Sequence, residues 1–327
     1  MNQIVVIITY FGKFKPSFKL FYESCRRNPK VDWFIFTDAK EPDSPSENVK
    51  WIDFTLEKFN ALATLKLGEK VDLHYAYKLC DFKPMYGLIF EDFIGKGYKY
   101  WAFGDVDVIY GDISGYLKKI DYEKYDKINF AGHFCLMRND SSMANLFKQK
   151  VEGTADFKEI LNFKNIAFDE RDFNKKVLAL NKKVYNGIFV ADIVHEKGMQ
   201  CVDKKMVKNA FGIKNIVVPK NYRYQLFVSE QDKIYRYYKQ FGKIKRDEFC
   251  YIHFRKETPI NLKVASSTTY IISGKGFFDV ETLDLNNKAS FMNLVDLYNH
   301  RNTFIKDKIN ALKYYCNKIF CRNKEKI

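Results

Sequence analysis

Two aspartates one residue apart, Asp105 and Asp107, stand in the run Gly104-Asp105-Val106-Asp107-Val108-Ile109-Tyr110-Gly111-Asp112, directly after Tyr98-Lys99-Tyr100-Trp101-Ala102-Phe103. A short apolar run closed by glycine reads as a buried strand. Both carboxylates then leave the sheet at the strand's carboxyl end, where open α/β sheets collect ligands. Carboxylates among apolar neighbours need a charge partner, and a divalent cation supplies one. A cation held there neutralises a diphosphate, which points to a nucleotide-linked substrate. An EF-hand calcium loop wants a polar ligand at its fifth position and glycine at its sixth, and Ile109 and Tyr110 stand there instead. Without its strand context, an Asp-x-Asp pair is also an ordinary solvated turn.

The elements that must position these groups follow from hydrophobic patterning. Ile4–Thr9, Asp32–Thr37 and Val49–Phe54 read as strands, and Ser17–Asn28 as a helix closed by Asn28-Pro29. Thr55–Leu67 reads as a helix, and Tyr75–Phe93 as two helices interrupted at Pro84. Strands alternating with helices argue for a mostly parallel, doubly wound α/β sheet. Beyond it, Lys127–Gly132 and Cys135–Arg138 read as strands, Ser141–Val151 as a capped helix, and 154–181 as helical in two pieces. Residues 184–280 are strand-rich, and about 289–322 is again helical.

Composition narrows the classes. The chain of 327 residues is 46% hydrophobic and 17% aromatic, enough for a large core and far from the disordered class. No stretch approaches the roughly 20 apolar residues that span a bilayer. The amino terminus lacks a basic segment and a cleavage site, so it reads as a first strand of a cytoplasmic protein. Seven scattered cysteines without a Cys-x-x-Cys pair argue against a zinc site or a disulfide framework. The net charge of +15 suits a nucleic acid, an anionic membrane or a phosphorylated substrate. No nucleic-acid-binding signature accompanies it.

The run Tyr77-Lys78-Leu79-Cys80-Asp81-Phe82-Lys83-Pro84, followed by Trp101 to Asp112, resembles glycosyltransferases of the GT-A fold. More closely, it is similar to a bacterial group whose members sit among capsule and lipopolysaccharide genes. The likeness extends through Tyr251-Ile252-His253-Phe254-Arg255-Lys256. It implies a Rossmann-like, mostly parallel mixed sheet flanked by helices over residues 1–288, with residues 289–327 as a helical appendage. It also implies metal-dependent transfer of a sugar from a nucleotide-diphosphate donor, expected to be UDP-linked, to a growing surface glycan or lipid-linked saccharide. Galactosyltransferases of lipopolysaccharide assembly carry a late histidine as third metal ligand in a His-Phe-x-Gly-x-x-Lys pattern. Here the glycine is missing and Arg255-Lys256 follow directly.

On this resemblance Asp105, Asp107 and His253 hold Mn²⁺ or Mg²⁺, with the imidazole favouring Mn²⁺; the alternative for His253 is a hydrogen-bonded core histidine. Thr9, Tyr10, Asp38, Lys78, Asp81, Lys83, Arg255 and Lys256 become donor-binding residues. Tyr10 is equally a core residue, Asp38 a turn residue, and Lys78 with Asp81 an i,i+3 ion pair. His133 and Asn186 are expected at the acceptor. Asp169 or Glu170 is expected beside the anomeric carbon, or else as a dipole partner in a helix's first turn. Two other functions compete. A nucleotidyl- or phosphotransferase needs a glycine-rich phosphate loop, and Thr9-Tyr10-Phe11-Gly12-Lys13-Phe14 is a poor one. A non-enzymatic basic module binding membrane or nucleic acid would not need Asp105 or Asp107.

From Arg301 to Ile327 there are eight Lys/Arg against two Asp/Glu, with Ile305, Ile309, Leu312, Cys316 and Ile319 at helical spacing. An amphipathic basic helix of this kind lies on an anionic bilayer on the cytoplasmic side or packs on the catalytic domain. Deleting residues 301–327 is expected to lower affinity for anionic vesicles in a salt-dependent manner while leaving sugar-nucleotide hydrolysis intact. Unfolding on truncation would show instead that the stripe is core.

Overall fold

A computed structural model describes residues 2–162, 165–185, 187, 190–194, 198–201, 218–254, 264, 267, 269–279 and 287–298. Its strands are β1 (Ile4–Thr9), β2 (Asp32–Thr37), β3 (Val49–Asp53), β4 (Tyr100–Gly104), β5 (Val108–Tyr110), β6 (Lys127–Ile128), β7 (Phe134–Arg138) and β8 (Val184–Tyr185). The remainder are β9 (Val190–Val194), β10 (Gly198–Cys201), β11 (Gln225–Glu230), β12 (Lys233–Gln240), β13 (Lys243–Phe249), β14 (Tyr251–His253), β15 (Thr269–Ser273) and β16 (Gly276–Asp279).

The main sheet runs β3-β2-β1-β4-β7-β6-β8. Its first four strands are mutually parallel, and β7 is antiparallel to both β4 and β6. This is the mixed α/β sheet expected from the sequence. Its centre is buried on both faces, which is why β1 and β4 read as unbroken apolar runs. Ile4, Val6, Ile8, Tyr100 and Ala102 face the helix Phe18–Arg26 through Phe21, Tyr22 and Cys25. Val5, Ile7, Trp101 and Phe103 face Phe59, Phe82, Tyr86 and Phe90.

Three local readings are corrected. The segment from Tyr75 to Phe93 forms five short helical turns, 76–78, 79–82, 83–85, 86–89 and 91–94, instead of two helices. Pro84 has no N–H to give, and the chain tightens into a 3₁₀ turn there instead of breaking. The expected strand Lys127–Gly132 stops at Ile128, because Asn129 takes φ +72 and spends its amide on Phe134 O and Tyr251 Oη, both at 2.7 Å. In place of one helix over Ser141–Val151 there is a turn at Ser141–Ala144, capped by Asp140 accepting from Met143 N at 2.8 Å, and a 3₁₀ turn at 146–148.

Two smaller sheets complete the architecture. One has the order β10-β9-β14-β5, and it joins the segment after β4 to the chain around His253. The other, β13-β12-β11-β15-β16, is wholly antiparallel. The helix Lys288–Tyr298, where the appendage was expected to begin, buries Phe291 and Val295 in one cluster with Leu226, Val228 and Ile271 of that sheet. Among the described residues no helix is long and apolar enough to cross a membrane.

Gly87 meets a tight steric demand in the core, against a tryptophan ring. A Cβ there would lie 2.5 Å from Cε2 of Trp101, whose ring is fully buried. Gly87→Ala is therefore expected to destabilise the protein by about 1–3 kcal/mol through overpacking, read as a lower urea midpoint with an unchanged slope.

Candidate active site

A cleft opens at the carboxyl ends of β1 and β4, lined by Thr9, Tyr10, Phe11, Tyr77, Lys83, Asp105 and Asp107. Thr9 Oγ1 shares a 2.6 Å hydrogen bond with the hydroxyl of Tyr86. Tyr10 stacks on Phe14 with ring centres 4.5 Å apart. Asp38 ends β2 and accepts from Gly12 N at 2.7 Å, fixing a loop whose glycine has φ +95. Asp38 thereby shapes the wall that Tyr10 belongs to.

Lys83 is the cation at the floor. It is buried, and its Nζ donates to Asp105 Oδ1 at 2.6 Å and to Gly132 O at 2.9 Å, with Asp169 Oδ2 at 3.7 Å. Burial alone would depress this ammonium, but the charges of Asp105, Cys80 and Asp169 outweigh it and hold it well above the ordinary lysine value. Asp169 moves the other way from most carboxylates: burial, with Glu170 and Asp105 adding to it against Lys83, pushes it up to about 8. Glu170 Oε1 accepts from Gly132 N at 2.9 Å. The Gly132 peptide is thus held at both ends, and a Cβ there would land on the Asp169 carboxylate. Asp169 and Glu170 precede the helix Asp172–Ala179 and are not in its first turn, so they do not act as partners of its dipole.

The second acidic residue meets the late histidine through strand register. β14 pairs with β5 so that His253 sits opposite Val108, and Phe254 N donates to Asp107 O at 2.9 Å. Asp107 Oδ1 lies 3.6 Å from His253 Nε2. On the other side, β9 runs parallel to β14 and places Asp192 opposite His253, with Oδ1 3.1 Å from Nδ1. Burial would lower the His253 pKa, but Asp107 and Asp192 override it and raise it to about 10. His133 stacks on this ring at 4.4 Å and 6°. Burial first, and the neighbouring His253 charge second, keep His133 neutral well below the usual imidazole range. Its Nδ1 is buried without a hydrogen-bond partner.

Eight of the sequence-derived residues therefore gather around one cleft and its floor: Thr9, Tyr10, Lys83, Asp105, Asp107, His133, Asp169 and Glu170, with His253 joined to them through Asp107. Lys78 and Asp81 do something else. Both are fully buried, paired at 2.7 Å, and Asp81 also accepts from Ile166 N at 3.1 Å and Phe168 N at 2.8 Å. They pin the segment that delivers Asp169. Asn186, Arg255, Lys256 and the stretch 301–327 lie outside the described residues. Sequence reasoning missed Asp192, although a single aspartate inside Val190-Ala191-Asp192-Ile193-Val194 is a charge within an apolar strand. It also missed Tyr86 and Gly132, which nothing in their local pattern marks.

The family profile that matches residues 6–281 is described as a family of unknown function, DUF6625. The chain belongs to the DUF6625 family. No curated protein matches this DUF6625 member. Among solved structures it is similar to a candidate nucleotide-diphospho-sugar transferase from Desulfovibrio desulfuricans G20, at 15% identity and TM-score 0.29, over 56% of this chain and 79% of that one. It is also similar to the glycosyltransferase GlyE of Streptococcus pneumoniae TIGR4, at 14% identity and TM-score 0.30, over 56% of this chain and 44% of that one. The apo form of GlyE aligns at TM-score 0.26. With likeness this slight, the strand order and the cleft carry the functional reading of the DUF6625 chain.

Asp81→Asn leaves the buried Lys78 ammonium beside a neutral amide. The expected cost is about 3–5 kcal/mol of stability, measured by denaturant unfolding. A residue that only touched a nucleotide would weaken its binding without moving the unfolding midpoint.

Proposed function

We propose that this chain is a metal-dependent glycosyltransferase that takes a sugar from a nucleotide-diphosphate donor, UDP-linked in our reading, and passes it to a growing bacterial surface glycan. The observation that supports it is the charge balance around the cleft. Once His253 gives up its proton to serve as a ligand, the carboxylates of Asp105, Asp107, Asp192 and Glu170 have Lys83 as their remaining cation. A divalent ion offsets most of that excess, and the donor set fits one. Asp107 and His253 already face each other, and His253 is oriented from behind by a carboxylate, the support that a metal-ligating imidazole needs. Asp105 would complete the set by leaving Lys83; with that ion pair formed, no three His, Cys, Asp or Glu among the described residues converge on one point.

When bound, Mn²⁺ or Mg²⁺ neutralises the negative charge that builds on the departing diphosphate. The residues of the chain divide the remaining tasks. Asp107 and His253, with Asp105, would hold the ion, and Asp192 fixes the ring that does so. Lys83, released from Asp105, would have a diphosphate oxygen as its next acceptor, since it lines the cleft beside Asp105. Tyr10 and Phe11 offer flat surface for the nucleotide base. The oxocarbenium-like transition state of glycosyl transfer needs a carboxylate close by, and Glu170 is at hand behind Gly132, with Asp169 beside it held as the neutral acid. His133, neutral and with one nitrogen unengaged, is suited to an acceptor hydroxyl.

With Mn²⁺ present, UDP at about 100 times its Kd is expected to stabilise the protein by about 2.7 kcal/mol, read as a rise in Tm. With chelator the rise should largely vanish. Asp107→Ala should remove the Mn²⁺ dependence and the hydrolysis of the cognate sugar nucleotide while leaving the unliganded Tm nearly unchanged. Equal stabilisation by UDP in Mn²⁺ and in chelator would overturn the metal-bridged reading.

A further inference from the structure

The outermost hairpin of the five-stranded sheet carries a side chain that the catalytic cleft does not use. β12 and β13 pair through to Gln240 opposite Lys243, so the turn consists of Phe241 and Gly242 alone. Both have positive φ, +48 and +76. Two-residue hairpin turns of this hand are built from Asn-Gly or Asp-Gly, because a bulky side chain is strained in the left-handed region. Phe241 bears that strain and obtains no packing for it: it is 91% exposed, the most exposed large apolar side chain among the described residues. The neighbouring turn of the same sheet, between β11 and β12, uses Gln231 and Asp232 at similar φ. A strained aromatic held out in solvent calls for a functional explanation.

Charge around the tip supplies the second observation. From Tyr238 to Arg246 the hairpin has Lys239, Lys243, Lys245 and Arg246 and no acidic residue. The acids of these strands, Glu230, Asp232, Asp247 and Glu248, lie toward the opposite end of the ladder. Lys243 and Lys245 are exposed, and Lys245 Nζ is steadied on Gln240 Oε1 at 3.0 Å. Arg223 is exposed next to Tyr224, over whose ring Lys239 Nζ lies at 5.6 Å. The tip therefore presents an aromatic wedge inside a collar of cations.

We propose that this hairpin is a docking point for an anionic lipid bilayer, separate from the cleft and from the segment 301–327. Phe241 enters the boundary between headgroups and acyl chains, and Lys239, Lys243 and Lys245 meet the lipid phosphates. An apolar insertion and a basic patch are the two signals whose combination gives stable peripheral binding where either alone is marginal. Charge complementarity favours a negative surface, and the exposed aromatic favours one with an apolar interior over a nucleic acid or an acidic protein.

The test uses the full chain and sedimentation with vesicles of phosphatidylcholine alone or mixed equally with phosphatidylglycerol. Wild type should bind the mixed vesicles, release them as salt is added, and ignore the neutral ones. Phe241→Asn restores a preferred turn residue, so its Tm should stay or rise while vesicle affinity falls about tenfold or more, the scale of losing one buried aromatic. Lys243→Glu with Lys245→Glu should lower affinity for the mixed vesicles about tenfold or more. Unchanged affinity in Phe241→Asn sinks the proposal, as does a fall in its Tm, which would make Phe241 a packing residue. Equal binding of wild type to both vesicles, or to neither, also sinks it. So does an oligonucleotide that the double lysine variant loses while both variants keep vesicle binding.

Discussion

Crowding carboxylates at the edge of an apolar sheet is the constraint that the rest of this structure answers. Asp105, Asp107, Asp169, Glu170 and Asp192 approach one another from three chain segments, and burying such groups is costly without counter-charge. The fold supplies Lys83 from below and His253 from the side. It also lets Asp169 become neutral instead of paying for a further cation. Each answer reshapes its surroundings: Lys83 draws in the Gly132 carbonyl, and Glu170 takes the amide of the same glycine.

Strand register does the positioning. β4 delivers the acidic loop, and β14 threads between β5 and β9 so that one residue, His253, faces an aspartate on either side. A slip of one residue would turn the imidazole to the opposite face of the small sheet. Asn129 reinforces the same junction, since its amide reaches both Phe134 O and the hydroxyl of Tyr251 in β14. The loop that carries His133 and the strand that carries His253 are thereby tied to each other, and the two imidazoles stack.

Much of the framework was legible in the sequence because its signals are short-range. β1 and β2 coincide with the apolar runs that announce them, and the Asp-x-Asp segment leaves β4 at the predicted end. The helix Leu56–Leu67 starts where Thr55 can cap it, accepting from Lys58 N. What could not be read is what depends on distant pairing. Asp192 acquires meaning only beside His253, and Gly132 only against Asp169. Lys78 and Asp81 satisfy both readings of their spacing until burial is known; their mutual contact and the two amides of 166 and 168 then define their role. Asn129 stops β6 by adopting a left-handed backbone, an outcome that depends on a tyrosine more than a hundred residues later.

The chain order of these strands has a consequence for how the protein is made. A ribosome releases β1 through β4 and the Asp105–Asp107 loop early, whereas β14 follows all of β11, β12 and β13. Domains emerge amino-terminal end first during synthesis. The nascent chain therefore exposes its acidic loop well before His253 exists to meet it. During that interval β5 lacks its partner in the small sheet, and the ion pair with Lys83 is the available neutralisation of Asp105. Closure of the site waits on a contact of long sequence separation, the kind that forms late and slowly. The acidic loop is thus made long before its surroundings are complete, and the histidine that faces Asp107 comes from the last third of the chain.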